Sequence, residues 1–209
     1  MAAKLDTSMV FVVDDDASMC KALDFLIRSA GLHVKTFSSG QEFLQYKRTE
    51  RPACLILDVC LPDQSGLQIQ QELATAVCSL PIIFITGHGD IPTSVQAMKA
   101  GAVEFLTKPF RNENLLNAIH LALERDLAAS KQQFELAELS ARYNLLTSRE
   151  REVMGMVVRG MLNKQIAGQL GTAEITVKVQ RRNAMEKMKA TSVADLVHIA
   201  DKLRIHSGF

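Results

Sequence analysis

Met9-Val10-Phe11-Val12-Val13-Asp14-Asp15-Asp16 is a short apolar run, rich in valine, that ends abruptly on three carboxylates. A run this short, closed by turn-forming residues, reads as a strand buried on both sides. Four further runs share that character: Leu32 to Thr36, Cys54 to Leu57, Ile82 to Ile85 and Val103 to Leu106. Helical patterns lie between them, such as Met19 to Ala30, with Ala22, Leu23, Leu26, Ile27 and Ala30 on one face and Gly31 as the stop. A β-α unit repeated five times predicts an α/β domain. Its parallel sheet is covered on both faces, with right-handed crossovers and functional groups at the carboxyl ends of the strands.

Those ends carry the chemistry. Asp14 to Asp16 follow the first strand and Asp58 follows the third, so a parallel sheet gathers the carboxylates at one edge. Carboxylates sharing a pocket repel unless a cation is bound, and hard oxygen ligands suit Mg²⁺. The alternative is that Asp14 to Asp16 simply cap the helix beginning near Ser18. Thr86 ends the fourth strand and Lys108-Pro109-Phe110 follows the fifth. A hydroxyl, an ammonium and carboxylates at one pole suit a phosphoryl group, with Asp58 as the attacking carboxylate.

These residues resemble the receiver domain of two-component response regulators. The resemblance covers roughly the first 125 residues. It rests on Val12-Val13-Asp14-Asp15-Asp16, on Leu57-Asp58-Val59-Cys60-Leu61-Pro62-Asp63-Gln64-Ser65-Gly66, on Ile85-Thr86-Gly87-His88 and on Phe105-Leu106-Thr107-Lys108-Pro109-Phe110. It implies a (βα)5 flavodoxin-like fold with Asp58 as phosphoacceptor. Mg²⁺ would be held by Asp15, Asp58 and the main-chain carbonyl of Cys60, with Asp14 acting through water. Thr86 and Phe105 would form a switch pair, Lys108 would bridge to the phosphoryl group, and the bond before Pro109 would be cis. Cys60 and His88 occupy positions that tune phosphate lifetime in such domains.

The chain has 209 residues, 47% of them hydrophobic and 22% charged. Disorder is excluded by that balance, and the length allows one large domain or two small ones. No apolar stretch reaches membrane-spanning length, and residues 1–10 lack the layout of a signal peptide. The four cysteines, Cys20, Cys54, Cys60 and Cys78, show no metal-site spacing and fit reduced thiols in a cytoplasm. Charge is uneven: residues 1–125 carry net −3, residues 126–142 net −1 and residues 143–209 net +5. A basic C-terminal part predicts a polyanionic partner.

From Leu145 onward the pattern is helical throughout. Asn112 to Arg142 reads as one long helix or two abutting ones, a helical linker without proline or glycine that offers a possible dimer seam. Thr147-Ser148-Arg149-Glu150 is a capping box, Asn163 is placed to cap a second helix, and Glu174 to Lys189 forms a third. Helix, turn, helix is a DNA-reading unit. On the third helix Lys178, Val179 and Arg182 leave the face occupied by Val177, Ala184 and Met188, as base-reading side chains do. Ala173 offers no side chain to cap that helix, a deficit of about 1 kcal/mol unless Thr172 or Glu174 compensates.

Residues 145–200 resemble the four-helix DNA-binding domain of the FixJ/NarL (LuxR-type) regulators. The matching residues run from Leu146 to Met154, from Gly160 to Ala167, and through Leu170, Thr176-Val177-Lys178-Val179, Asn183 and Glu186-Lys187-Met188. Gln180 stands where a histidine is frequent. The resemblance implies base contacts from Lys178, Val179 and Arg182, phosphate contacts from Asn163, Lys164, Thr176 and Arg181, and a dimer surface on the last helix at Leu196 and Val197.

The expected organisation is a receiver at 1–125, a helical linker at 126–142 and a helix-turn-helix domain at 143–209. The expected function is that of a cytoplasmic transcription factor. A sensor histidine kinase phosphorylates it, a homodimer binds two promoter half-sites, and transcription is activated with RNA polymerase as a partner. Its only catalysis would be phosphoryl uptake and slow loss at its own aspartate. Two alternatives share these residues: a DNA-binding regulator indifferent to phosphorylation, and a Mg²⁺-dependent phosphohydrolase, which the lack of a cap domain disfavours.

Overall fold

The computed structural model describes residues 8–47, 52–75, 80–87 and 90–205. His88 and Cys78 lie outside them. The chain divides into two compact units, residues 1–130 and 131–209.

In the first unit β1 (Met9–Val13), β2 (His33–Phe37), β3 (Ala53–Asp58), β4 (Ile82–Thr86) and β5 (Glu104–Thr107) form one sheet in the order β2-β1-β3-β4-β5. Every pairing is parallel, with Met9 opposite both His33 and Ala53, Leu55 opposite Ile82, and Ile83 opposite Glu104. Strand alternation splits the core into two layers. Val10, Val12, Ile56, Ile83 and Ile85 pack with Leu23 and Ile27 of α1 (Ala17–Ser29) and with Leu115, Ile119 and Leu123 of α5 (Asn112–Asn144). Phe11, Val13, Leu55, Leu57 and Phe84 face the other way. There they meet Phe43 of α2 (Gly40–Gln45), Ile69 and Leu73 of α3 (Gly66–Thr75) and Ala97 of α4 (Ile91–Lys99).

The sheet is thus covered on both faces, as the apolar runs require. The buried seam of α1 is narrower than its periodicity suggests: Leu23 and Ile27 are buried, whereas Ala22 and Ala30 are exposed. A small side chain at the rim of a helical stripe is indifferent to burial. Gly31 ends the helix with φ +80°, the left-handed conformation that glycine adopts without strain. The stretch from residue 112 to 142 lies within the single helix α5.

The second unit contains the end of α5 and four more helices: α6 (Ser148–Val158), α7 (Asn163–Leu170), α8 (Glu174–Met188) and α9 (Val193–Lys202). Val153, Met154 and Val157 of α6 pack with Ile166 of α7, Val177, Ala184 and Met188 of α8, and Leu196, Ile199 and Ala200 of α9. The capping box is complete: Thr147 Oγ1 accepts from the Glu150 amide at 3.2 Å, and Glu150 Oε2 accepts from the Thr147 amide at 2.8 Å. One cap is corrected. Leu162, not Asn163, occupies the extended position before α7, and Gln165 Oε1 reaches back to the Leu162 amide at 2.8 Å.

Candidate functional site

β1, β3, β4 and β5 deliver Asp14, Asp58, Thr86 and Lys108 to their carboxyl ends, because in a parallel sheet every strand finishes at the same edge. The Lys108 ammonium donates to Asp14 Oδ2 at 2.7 Å and to Asp58 Oδ2 at 2.6 Å. The second oxygens are used too: the Asp16 amide donates to Asp14 Oδ1 and the Cys60 amide to Asp58 Oδ1, each at 2.9 Å. Asp14 and Asp58 are buried, Asp15 is exposed, and ligand atoms of all three lie within 4.8 Å of one another.

The members of the aspartate triplet part ways. Asp16 Oδ1 accepts from the Ser18 amide at 2.8 Å and caps α1. Asp14 and Asp15 turn to Asp58. Burial pushes the Asp14 carboxyl above the usual aspartate value, against the lowering effect of Lys108 and the Asp16 amide. Burial alone would pull the Lys108 ammonium down, but its bonds to Asp14 and Asp58 outweigh this and hold it above the ordinary lysine value. Three carboxylates against one ammonium leave an excess of negative charge, and every donor is a hard oxygen. That chemistry fits a divalent cation with open coordination positions.

Thr86 is fully buried, and its carbonyl accepts from the Lys108 amide at 2.7 Å. The Lys108-Pro109 bond is cis. Phe105 is half-buried against Phe84, with ring centroids 6.2 Å apart. Two contributors carry no signal in the spacing of charged residues. Cys20 Sγ donates to the Asp14 carbonyl at 3.3 Å, and Gly66 leaves room for the Asp58 carbonyl, which a β-carbon at that position would strike.

In the second unit α8 turns Val177, Ala184 and Met188 inward and leaves Thr176, Lys178, Val179 and Arg182 exposed. Arg181 is half-buried and donates from Nη1 to Asn163 Oδ1 at 3.0 Å, which ties α8 to the start of α7. Lys164 is exposed beside it. Ala173 stands at the N-cap of α8 with no side-chain bond to the helix, and neither neighbour makes one in its place; Glu174 contributes its charge to the first turn. The surface expected on α9 is corrected in part. Leu196 is 1% exposed and belongs to the core, while Val197 is half-buried. Helix α9 turns the Leu196, Ile199 and Ala200 stripe inward because the second unit needs that stripe to close its core.

The sequence model of the response regulator receiver domain matches residues 10–120. That of the luxR family of bacterial regulatory proteins matches residues 144–200. Nodulation protein W of Bradyrhizobium diazoefficiens is 50% identical over 198 residues, covering 95% of this chain and 87% of that protein. The chain belongs to the response regulators of the FixJ/NarL family. Transcriptional regulatory protein FixJ of Rhizobium meliloti is 40% identical to this response regulator over 91% of the chain and 94% of its own length. The solved structure of the response regulator StyR superposes with a TM-score of 0.85 at 46% identity, covering 94% of this chain and 99% of that one. Among the described residues of this response regulator, no helix is long and apolar enough to cross a membrane.

Proposed function

We propose that this response regulator is a phosphorylation-controlled, cytoplasmic transcription activator. A sensor histidine kinase donates a phosphoryl group to Asp58, phosphorylation promotes dimerisation, and the dimer binds two promoter half-sites and engages RNA polymerase. The receiver occupies 1–125, the linker 126–142 and the DNA-binding domain 143–209. The observation that carries the reading is one ammonium, Lys108 Nζ, bonded to two buried carboxylates, Asp14 and Asp58, at the carboxyl edge of the sheet.

Asp58 attacks phosphorus through a carboxylate oxygen; a P–O bond forms as the donor's bond to phosphorus breaks, and the leaving group departs with that electron pair. The Lys108 ammonium then exchanges its contact with Asp58 for one with the phosphoryl oxygens, and the Thr86 hydroxyl donates to another of them. Asp15, Asp58 and the Cys60 main-chain carbonyl would hold Mg²⁺, with Asp14 behind a water. Bound there, the cation neutralises charge on the phosphoryl oxygens. Movement of Thr86 draws Phe105 inward, and the phosphoryl group shifts the equilibrium between inactive and active states only by the difference in its interaction with them. Beyond uptake and slow loss of its own phosphoryl group the chain turns over no substrate.

In the second unit Lys178, Val179 and Arg182 read bases, while Asn163, Lys164, Thr176 and Arg181 hold phosphates. Val197 contributes to the surface between DNA-bound copies. Sedimentation of the full chain with a selected promoter duplex, with and without acetyl phosphate and Mg²⁺, tests the sequence of events. Dimer formation and tighter binding on phosphorylation support it; unchanged mass and affinity in a phosphorylated sample refute it.

A further inference from the structure

The outer face of α8 holds an exposed apolar side chain to which the proposed function gives no task. Ile175 is 67% exposed and Val179, one turn later, is 45% exposed. At about 100° per residue, Val179 and Arg182 lie within roughly 40° of Ile175, and Lys178 about 60° away. Val177, Ala184 and Met188, the buried residues of α8, lie on the opposite side. The exposed face is therefore composite: two branched apolar side chains beside two cations.

A single exposed apolar residue needs no explanation. Two of them one turn apart, at the start of a helix whose same face carries Lys178 and Arg182, match a particular surface. The major groove offers acceptor atoms to cations and one apolar group, the thymine C5-methyl, and the first turns of the second helix of a helix-turn-helix are the part that reaches base edges. Glu174, the neighbouring carboxylate, pairs with Lys178 at 3.7 Å, so its charge is offset beside this face. Further along the same stripe Glu186 is a carboxylate, which confines the apolar contact to the first two turns.

We propose that Ile175 is a specificity-determining residue that packs on the C5-methyl of a thymine in each half-site, distinct from the thymine met by Val179. The proposal rests on α8 being the base-reading helix.

The test uses the full chain and a half-site selected from random duplexes. Each thymine is replaced in turn by uracil, which deletes the methyl and leaves every hydrogen-bonding group in place. Wild type is expected to lose about fourfold in affinity at each of two positions, the worth of one buried methyl-sized group. Ile175→Ala is expected to become insensitive at one of these and remain sensitive at the other, and Val179→Ala to show the reverse. If Val179→Ala removes one sensitivity while Ile175→Ala changes none, the assignment of Ile175 is wrong and the reading helix stands. If no sequence is selected, or the half-site contains no methyl-sensitive thymine, the assignment falls; absence of any selected sequence also removes the base-reading role of α8. Circular dichroism checks that the variants, both altered at exposed positions, stay folded.

Discussion

Lys108 Nζ stands 2.6 Å from Asp58 Oδ2 while the same ammonium lies 2.7 Å from Asp14 Oδ2, so one cation holds together the ends of two strands, β1 and β3. Replacing it leaves neighbouring carboxylates without their counter-charge. Lys108→Met is expected to destabilise the first unit by about 1–3 kcal/mol, the usual consequence of leaving a buried charged group without its partner. Millimolar Mg²⁺ should restore more of the loss in the variant than it adds to wild type, since a ligand that binds only the folded state stabilises it. Thermal melts with and without the cation measure both effects.

Gly66 opens α3 directly beneath the Asp58 carbonyl, and an added β-carbon would also come within 3.1 Å of the Phe84 ring. Strand β3 cannot yield without displacing Asp58. Gly66→Ala is therefore expected to cost about 1–3 kcal/mol by overpacking and to slow phosphoryl uptake. Urea denaturation and a phosphorylation time course report the two consequences separately.

Glu150 is buried, closes the capping box of α6 and accepts from Lys187 Nζ of α8 at 2.6 Å. The Lys187 bond, with the Thr147 amide, holds its carboxyl below the usual glutamate value. A depressed value in the folded state means that the unfolded chain takes up the proton first. The stabilisation is thus present above the ordinary glutamate pKa of about 4.3 and lost as pH falls through the lower folded value. Protection factors of α6 and α8 amides, with the intrinsic pH dependence of exchange removed, should fall over that window in wild type. The gap between wild type and Glu150→Gln should narrow as pH drops.

Ala173 leaves the first turn of α8 without a side-chain cap. Ala173→Ser supplies an acceptor for the free amides and is expected to stabilise the second unit by about 1 kcal/mol. Exchange rates at the start of α8 would show the gain.

The five strands and the carboxyl-edge cluster were legible because a doubly covered parallel sheet writes its strands as apolar runs and its functional residues immediately after them. The start of α6 was equally legible, since Thr147 and Glu150 must stand three apart to bond each other's amides. The α7 cap was not, because a cap is decided by backbone conformation, and Leu162 rather than Asn163 adopts the extended one. Nor was the facing of α9: the apolar stripe through Leu196 and Ile199 is the same whether it meets a partner or the core, and the second unit is small enough to need it inside. Ile175 shares its helix face with Lys178 and Arg182 rather than with a run of apolar residues, so its exposure in the folded chain is what marks it.

Asp58 is proposed as the residue that takes up phosphate. Intact-protein mass after incubation with acetyl phosphate and Mg²⁺, on wild type and Asp58→Asn side by side, tests it most directly. One hydroxylamine-labile phosphoryl adduct is expected on wild type and none on the variant. An adduct of equal yield on both proteins would contradict it.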